Sequence, residues 1–446
     1  MRPLIIAEAA NPEWSSVPLV GWSQAEALLR QTDGHLVTQI RNAEAIRRTG
    51  LDPERVTFID SERIAAPAYR LAERLAGGDG KAWTVITAIQ SLSYPYFEWL
   101  VERRFGPRMA QGAFDLVHRV TPLSPTAPSR LAKRCHQLGL PFVLGPLNGG
   151  TPWPKEYPEL IAQEREWLTR VRRLYEWLPS ARSTRAHATA VILASRAAFE
   201  RESPAFADRY FYMPENGIDL SRFPLAEPRS SRLPLRFVFV GRLVPYKGLD
   251  IALEALKPAL RAGEASFEVV GDGPERSRVE ARAAELDLGS QVRFHGWVAH
   301  REVSKLVGQA DVFLFPSLRE FGGGVVLEAM AVGAVPMIVD YGGPGELVDA
   351  STGVKVPMQP RASLIDALQR EIGRLLDTPE RLEAMRIEGV ERIRNLHAWD
   401  KKAERIVELY RWVLGNGPKP SWTRPPVAPP SGVQGEDDST STPFRA

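Results

Sequence analysis

Twice in succession the chain alternates short runs of β-branched and aromatic residues with longer helical stretches, and this rhythm restricts it to parallel sheets whose strands are joined by crossover helices. In the first series strands are expected over Leu4 to Ala7, His35 to Ile40, Trp83 to Ala88, Leu116 to Val120, Phe142 to Gly145, Ala190 to Ala194 and Tyr210 to Met213. In the second they are expected over Arg236 to Gly241, Ser266 to Gly271, Gln291 to Gly296, Val312 to Pro316 and Val335 to Val339. A proline- and serine-rich stretch, 222–234, lies between the two, as befits a stiffened connection between lobes. The fold class expected is α/β.

A chain of 446 residues, 44% hydrophobic and 25% charged, has room for two or three domains with real cores. A net charge of +3 is too small to imply binding of a polyanion by whole-molecule attraction, so nucleic acid is not expected as a partner. Cys135 stands alone, which excludes an intrachain disulfide and a cysteine-rich metal cluster and fits a reducing, cytoplasmic setting. The opening run Met1-Arg2-Pro3-Leu4-Ile5-Ile6-Ala7-Glu8 meets a carboxylate too early for a signal-peptide core and reads as a buried strand. No apolar stretch reaches the ~18 residues a membrane-spanning helix needs. Near the C-terminus, Ala403, Ile406, Val407, Tyr410 and Val413 fall at helical spacing and define a helix with one buried stripe. Residues 416–446, rich in Pro, Ser, Thr and Gly, read as a disordered tail.

Three turns of the second series carry chemistry. After the strand Phe237-Val238-Phe239-Val240, Gly241 is followed by Arg242 and then Lys247, two cations five residues apart before a helix start. Such a turn suits a diphosphate, because glycine permits close approach, a helix start offers free N–H groups and the cations oppose the ligand charge. The alternative is a plain strand-to-helix loop with solvated cations. Gly271-Asp272-Gly273-Pro274 repeats the pattern one strand later, although alone it is no more than a tight turn. In the third, Pro316 ends a strand and Gly322-Gly323-Gly324 precedes a helix. Glu320 and Glu328 flank this triplet with seven residues between them, so both carboxylates can face one pocket and accept hydrogen bonds from hydroxyls. Against this stands the plainer reading of Glu328 as a helix-dipole partner and Glu320 as a solvated loop acid.

Together with Gly342-Gly343-Pro344-Gly345-Glu346-Leu347-Val348 and with Glu215-Asn216-Gly217-Ile218-Asp219 before the connection, these motifs resemble, in order and spacing, the GT-B glycosyltransferases of family 4. The resemblance covers residues 1 to 414 and is strongest in the second half. It implies a GT-B architecture of two Rossmann-like doubly wound domains facing a central cleft. The corresponding organisation is an acceptor-side domain at 1–221, a linker at 222–234, a nucleotide-sugar domain at 235–397, a helix packing on the lobes at 398–415 and the tail at 416–446.

The activity implied is retaining transfer of a sugar from a nucleotide-diphosphate donor to a saccharide or lipid-linked acceptor, in bacterial surface polysaccharide or glycolipid assembly. The alternatives are another GT-B enzyme, such as a nucleotide-sugar epimerase or disaccharide synthase, and a non-catalytic nucleotide-sugar-binding protein. By the same resemblance Arg242 and Lys247 neutralise the leaving diphosphate, Glu328 accepts from the ribose and Glu320 contacts the donor sugar. Gly322, Gly323 and Gly324 line sugar and phosphate, Gly271, Asp272 and Gly273 belong to the donor site, and Trp297 and Val298 border the base. No cofactor is implied, the nucleotide sugar being a substrate. The chain contains no Asp-x-Asp triplet to hold a metal against a diphosphate.

Three features of the first half differ from the pattern or extend it. His118, in His118-Arg119-Val120-Thr121-Pro122, resembles a strand end that in relatives bears His-x-His, but the second position is Val120. His118 is carried forward as a catalytic or donor-contacting candidate, with a core or hinge histidine as the alternative. The turn of two glycines that relatives place after the first strand is replaced by Asn11-Pro12-Glu13-Trp14-Ser15-Ser16, while Asn148, Gly149 and Gly150 supply a turn that can line the cleft on the acceptor side. Lastly, Arg165 to Arg185 holds six Arg against two Glu, with Trp167, Leu168, Val171, Leu174, Tyr175 and Leu178 along one helical face. That pattern fits either a core-packing helix or a peripheral contact with the inner face of an anionic membrane.

Overall fold

The structure is a computed structural model and describes residues 1–67, 83–149, 151–163 and 179–425. The first sheet comprises β1 (Pro3–Ala7), β2 (His35–Gln39), β3 (Val56–Ile59), β4 (Leu116–Thr121), β5 (Phe142–Leu147), β6 (Ala190–Leu193) and β7 (Tyr210–Tyr212) in the order β3-β2-β1-β4-β5-β6-β7. The second comprises β8 (Leu235–Val240), β9 (Ala265–Val270), β10 (Val292–Gly296), β11 (Val312–Phe315), β12 (Val335–Asp340) and β13 (Val354–Pro357) in the order β10-β9-β8-β11-β12-β13. All pairings are parallel. β1, β5, β6 and β11 are buried at every residue, as apolar runs covered on both faces must be, and β4 is buried throughout although it carries His118 and Arg119. This is an α/β fold of two Rossmann-like lobes of the GT-B type. In each sheet the strand order reverses beside its first strand, at β1/β4 and at β8/β11, and in such sheets ligands bind in the crevice outside the carboxyl ends at that point.

Helices cover the sheets with one apolar stripe each. In the helix Leu249–Arg261 the buried residues Leu249, Ala252, Leu253, Leu256, Ala259 and Leu260 repeat at the helical period. The helix Trp399–Val413 returns to the N-terminal lobe, where Ala403, Ile406, Val407 and Tyr410 join a core with Ile5, Leu28 and Val120. The chain leaves that lobe at Ile218 and re-enters it at Ala398, and the two passages pair side by side: Ile218 N–H donates to His397 O at 2.8 Å and Trp399 N–H to Ile218 O at 3.1 Å.

Several expectations are corrected. Trp83–Ala88 is not a strand but the start of the helix Trp83–Ala110. Its β-branched residues yield to a helical stripe further along, where Phe97, Val101, Phe105 and Met109 are buried at intervals of four. β3 and β13, four residues each, were not foreseen. The stretch 222–234 is not a free connection: Phe223 enters the C-terminal core, Ala226 N–H donates to Ala331 O at 2.9 Å and Ser231 Oγ to Asp311 at 3.0 Å. The first part of the tail expected from 416 is packed instead: Trp422 sets its ring on Phe211 at 5.1 Å and its carbonyl accepts from Tyr212 N–H at 2.8 Å, while residues 426–446 lie outside the described residues. One aromatic side chain supplies the apolar area that the surrounding prolines lack. Among the described residues no helix is long and apolar enough to cross a membrane. Most of the basic amphipathic stretch, residues 164–178, lies outside the described residues, as does Gly150. Arg185, at the end of that stretch, is paired with Glu202 at 2.9 Å in the interior of the lobe.

Candidate active site

The carboxyl-edge loops of the second sheet are knitted to one another by backbone contacts. A Cβ on Gly271 would collide with Gly241 O, and the same turns are joined by Leu243 N–H to Asp272 O at 2.9 Å. Gly248, in the left-handed region at φ 70°, lies so close to Pro316 O that any side chain is excluded. Leu318 N–H then donates to Tyr246 O at 2.8 Å. The loops after β8 and β11, the two strands that flank the switch point, are thereby held together. As a consequence Lys247 meets Glu320 in a half-buried ion pair, with its ammonium 4.9 Å from the Phe315 ring centroid. Arg242 is exposed on the turn directly after β8.

The glycine triplet follows at once. Gly323 caps the helix Gly324–Ala331 in the left-handed conformation, and Gly343 N–H donates to Glu320 O at 3.1 Å, tying in the loop after β12. Glu328 projects from that helix, partly buried. Burial pushes its carboxyl up to about 7, opposed by the positive charge of Arg222. Arg222 itself pairs with Asp219 at 3.3 Å and donates to Pro12 O at 3.2 Å, so it links the Glu328 helix to the loop after β1.

The first lobe contributes Asn148, buried at the end of β5, and Glu215 and Asn216, which follow β7. A Cβ on Gly322 would collide with both Glu215 Oε1 and Asn216 Nδ2, so these side chains lie directly on the glycine turn of the other lobe. Burial lifts the Glu215 carboxyl to about 7; a hydrogen bond from Asn148 and the charge of Lys402 act the other way, and Glu320 adds to the rise. Lys402, buried on the C-terminal helix and donating to Pro214 O, is lowered to about 7, chiefly by loss of solvent and then by Arg405. Gly149 packs against Pro125.

Other predicted residues take different places. Asp272 is exposed, accepts from Gly273 N–H at 2.7 Å and pairs with Arg276 at 2.8 Å, while Arg276 lies against Gly296. Trp297 beyond it is 80% exposed, which leaves its ring face open to a planar group, and Val298 is half-buried against the C-terminal core. Glu346, from the last motif, is a clamp between lobes: its carboxylate accepts from Arg196 N–H at 2.8 Å and from Tyr212 Oη at 2.8 Å. Arg319 is a second interlobe tie, stacked 4.3 Å from the Trp153 ring and 4.9 Å from Phe321. Sequence reasoning assigned no role to Glu215, Arg222, Arg319 or Lys402. Glu215, Arg222 and Arg319 act across the lobe boundary and Lys402 acts on Pro214, 188 residues away, for which one-dimensional spacing carries no signal.

His118 is corrected. The ring is fully buried, Nε2 lies 2.7 Å from Gly145 O and Nδ1 lies 2.6 Å from Tyr410 Oη. A carbonyl only accepts, so Nε2 carries the proton and Nδ1 accepts from the tyrosine. Burial holds the ring neutral, with its pKa lowered to about 4. Both nitrogens are used within the core, which leaves none for a substrate. Tyr410→Phe is expected to cost about 1 to 3 kcal/mol by stranding a buried acceptor. The cost is read as a lower urea midpoint, with transfer kinetics changed less than about twofold.

Residues 227–392 match the family model described as glycosyl transferases group 1. A 2-deoxystreptamine glucosyltransferase of Streptomyces kanamyceticus is 28% identical over 344 residues, spanning 72% of this chain and 81% of that protein. Three other curated relatives are matched over 37 to 47% of their length. Among solved structures, a sucrose-phosphate synthase from Thermosynechococcus elongatus superposes with a TM-score of 0.58 at 19% identity, over 93% of this chain and 99% of that one. HepE of Anabaena in complex with UDP gives 0.57 at 17% identity, over 92% and 99%. Those two likenesses bear on the fold, and the motif order and switch-point geometry of the C-terminal lobe fall within the span that is similar to the group 1 glycosyl transferases.

Proposed function

We propose that the protein is a retaining glycosyltransferase that moves a sugar from a nucleotide-diphosphate donor to a saccharide or lipid-linked acceptor without a metal ion. The single observation that carries this reading is the Lys247–Glu320 pair at the β8/β11 switch point, beside the Gly322–Gly324 turn and the helix that bears Glu328. The bond that breaks joins the anomeric carbon to a phosphate oxygen, and the nucleotide diphosphate leaves with the electron pair. Charge therefore grows on phosphate as the bond lengthens, and fixed cations stabilise it more in the transition state than in the ground state. Lys247 and Arg242 are those cations. When the diphosphate engages Lys247, the Glu320 carboxylate is released from its partner and accepts from a sugar hydroxyl. The acceptor oxygen attacks the same face, and its proton passes to the departing phosphate oxygen. Glu328 accepts from the ribose, and Trp297 offers its exposed ring to the base.

The relative from Streptomyces kanamyceticus is named for transfer of glucose to 2-deoxystreptamine, which supports a polyhydroxylated acceptor. Assembly of a bacterial surface glycan or glycolipid, in the cytoplasm or at the inner face of the membrane, is part of the same proposal.

Incubation with UDP-, ADP-, GDP- and TDP-sugars, with and without a lipid or saccharide acceptor extract, tests the reading. Product that needs both substrates and keeps the donor's anomeric configuration supports it. Alteration of the donor sugar with no acceptor present identifies an epimerase instead. Transfer is expected to persist in excess EDTA, whereas abolition rescued by magnesium or manganese refutes the metal-free step.

A further inference from the structure

Two lysine–glutamate couples, one from each lobe, include a glutamate near the Gly322–Gly324 turn: Glu320 two residues before it in the chain and Glu215 lying on Gly322. Lys247 and Glu320 form the C-terminal couple and are in contact. Lys402 and Glu215 form the N-terminal one, coupled through charge rather than by a direct bond. Glu215 rests one oxygen on Gly322 and is hydrogen-bonded by Asn148. Its second oxygen, Oε2, is buried and meets no hydrogen-bond partner, and neither does Asn148 Oδ1 beside it. A carboxylate oxygen kept from water without a donor costs free energy unless something else fills the need. The position therefore calls for a hydrogen-bond donor. A phosphate cannot supply it, since phosphate oxygens bear negative charge and two carboxylates repel them. A neutral ligand with several hydroxyls satisfies acceptors on both sides, and this is the chemistry of a sugar ring.

We propose that Glu215, oriented by Asn148, is a donor-sugar contact from the N-terminal lobe, its Oε2 accepting a hydrogen bond from a hydroxyl of the transferred sugar as that sugar lies over Gly322 opposite Glu320. The assignment rests on the donor reading given above and adds to it the residue that distinguishes a sugar nucleotide from the bare nucleotide. Glu215 and Asn216 lie against the turn, so a sugar over Gly322 exchanges protein contacts for ligand contacts of the same kind.

The test compares two affinities in one variant. Titration calorimetry with UDP and UDP-glucose, ADP and ADP-glucose, GDP and GDP-mannose, and TDP and TDP-glucose first finds the pair that the unaltered protein binds. With that pair at about pH 8, where the Glu215 carboxyl is ionised, Glu215→Ala is expected to weaken the sugar nucleotide by about tenfold or more, the loss of a hydrogen bond to a charged acceptor, and to change the bare nucleotide less than about twofold. Glu215→Gln, which keeps the shape, and Asn148→Ala are expected to fall between, and they serve if the alanine variant does not fold. Equal losses for nucleotide and sugar nucleotide, or no loss for either, overturn the assignment in favour of a structural role. If the unaltered protein binds no nucleotide of the panel, the donor reading itself is overturned, a result distinct from failure of the Glu215 assignment.

Discussion

Lys247→Ala is expected to lower kcat/KM for the donor by about 10²- to 10³-fold, the scale seen when one fixed donor to a developing anion is removed. The ammonium emerges from a 3₁₀ turn, Pro245–Lys247, closed by Gly248 against Pro316 O, so backbone packing fixes where the charge stands. Lys247→Arg restores the charge and is expected to recover part of the loss. Initial rates over a range of donor concentrations decide the matter, and a loss below about threefold removes Lys247 from the proposed chemistry. The same substitution has a second readout. Glu320 would then stand without its cation while still facing the charge of Glu215. Lys247→Ala is therefore expected to melt below the unaltered protein, and adding Glu320→Gln should return the melting temperature without returning activity.

Glu328 gives the other large effect. Glu328→Ala is expected to raise the donor KM by about 10- to 100-fold through loss of hydrogen bonds between ribose hydroxyls and a charged acceptor. Its carboxyl, pushed up to about 7 by burial, changes from mostly protonated to mostly ionised across neutrality. Donor affinity should accordingly fall as the pH drops from about 8 to about 6, by up to roughly tenfold if the ionised form alone binds. Stability runs in the opposite sense. A carboxyl whose folded pKa is raised binds more protons folded than unfolded between the ordinary carboxylate value and about 7, so its contribution is complete at low pH and is lost as pH rises through that window. Glu328→Gln is thus expected to melt above the unaltered protein at about pH 8 while using donor poorly. The slope of melting temperature against pH would be reduced rather than abolished, because Glu8 and Glu215 are raised to about 7 as well.

The second lobe was readable because its chemistry is local. Val240-Gly241, Val270-Gly271 and Phe315-Pro316 mark strand ends, and the residues that follow each end are the ones the sheet brings to its carboxyl edge. Seven intervening residues suffice to place Glu320 before the turn and Glu328 on the helix after it. His118 stayed open between a cleft and a core role because its partner, Tyr410, is 292 residues away, and no local pattern distinguishes a histidine bonded in a core from one facing a cleft. Trp83–Ala88 was misread because β-branched propensity is weak against a helical stripe extending to Met109. Glu215 lay within a recognised motif, yet its role depends on the facing Gly322, and only folding brings the two together.

Because the passages at Ile218 and Ala398 run side by side, the N-terminal lobe is completed by a helix encoded at the far end of the chain. A fragment ending near residue 221 would therefore expose the surface that Ile406, Val407 and Tyr410 cover and would leave His118 Nδ1 without its hydroxyl. Cutting the polypeptide at its one evident boundary does not separate it into two self-sufficient halves. The lobe can be rebuilt only by supplying residues 398–425 in trans or by fusing them to the truncated end, so complementation between two inactive pieces is the behaviour this wiring foretells.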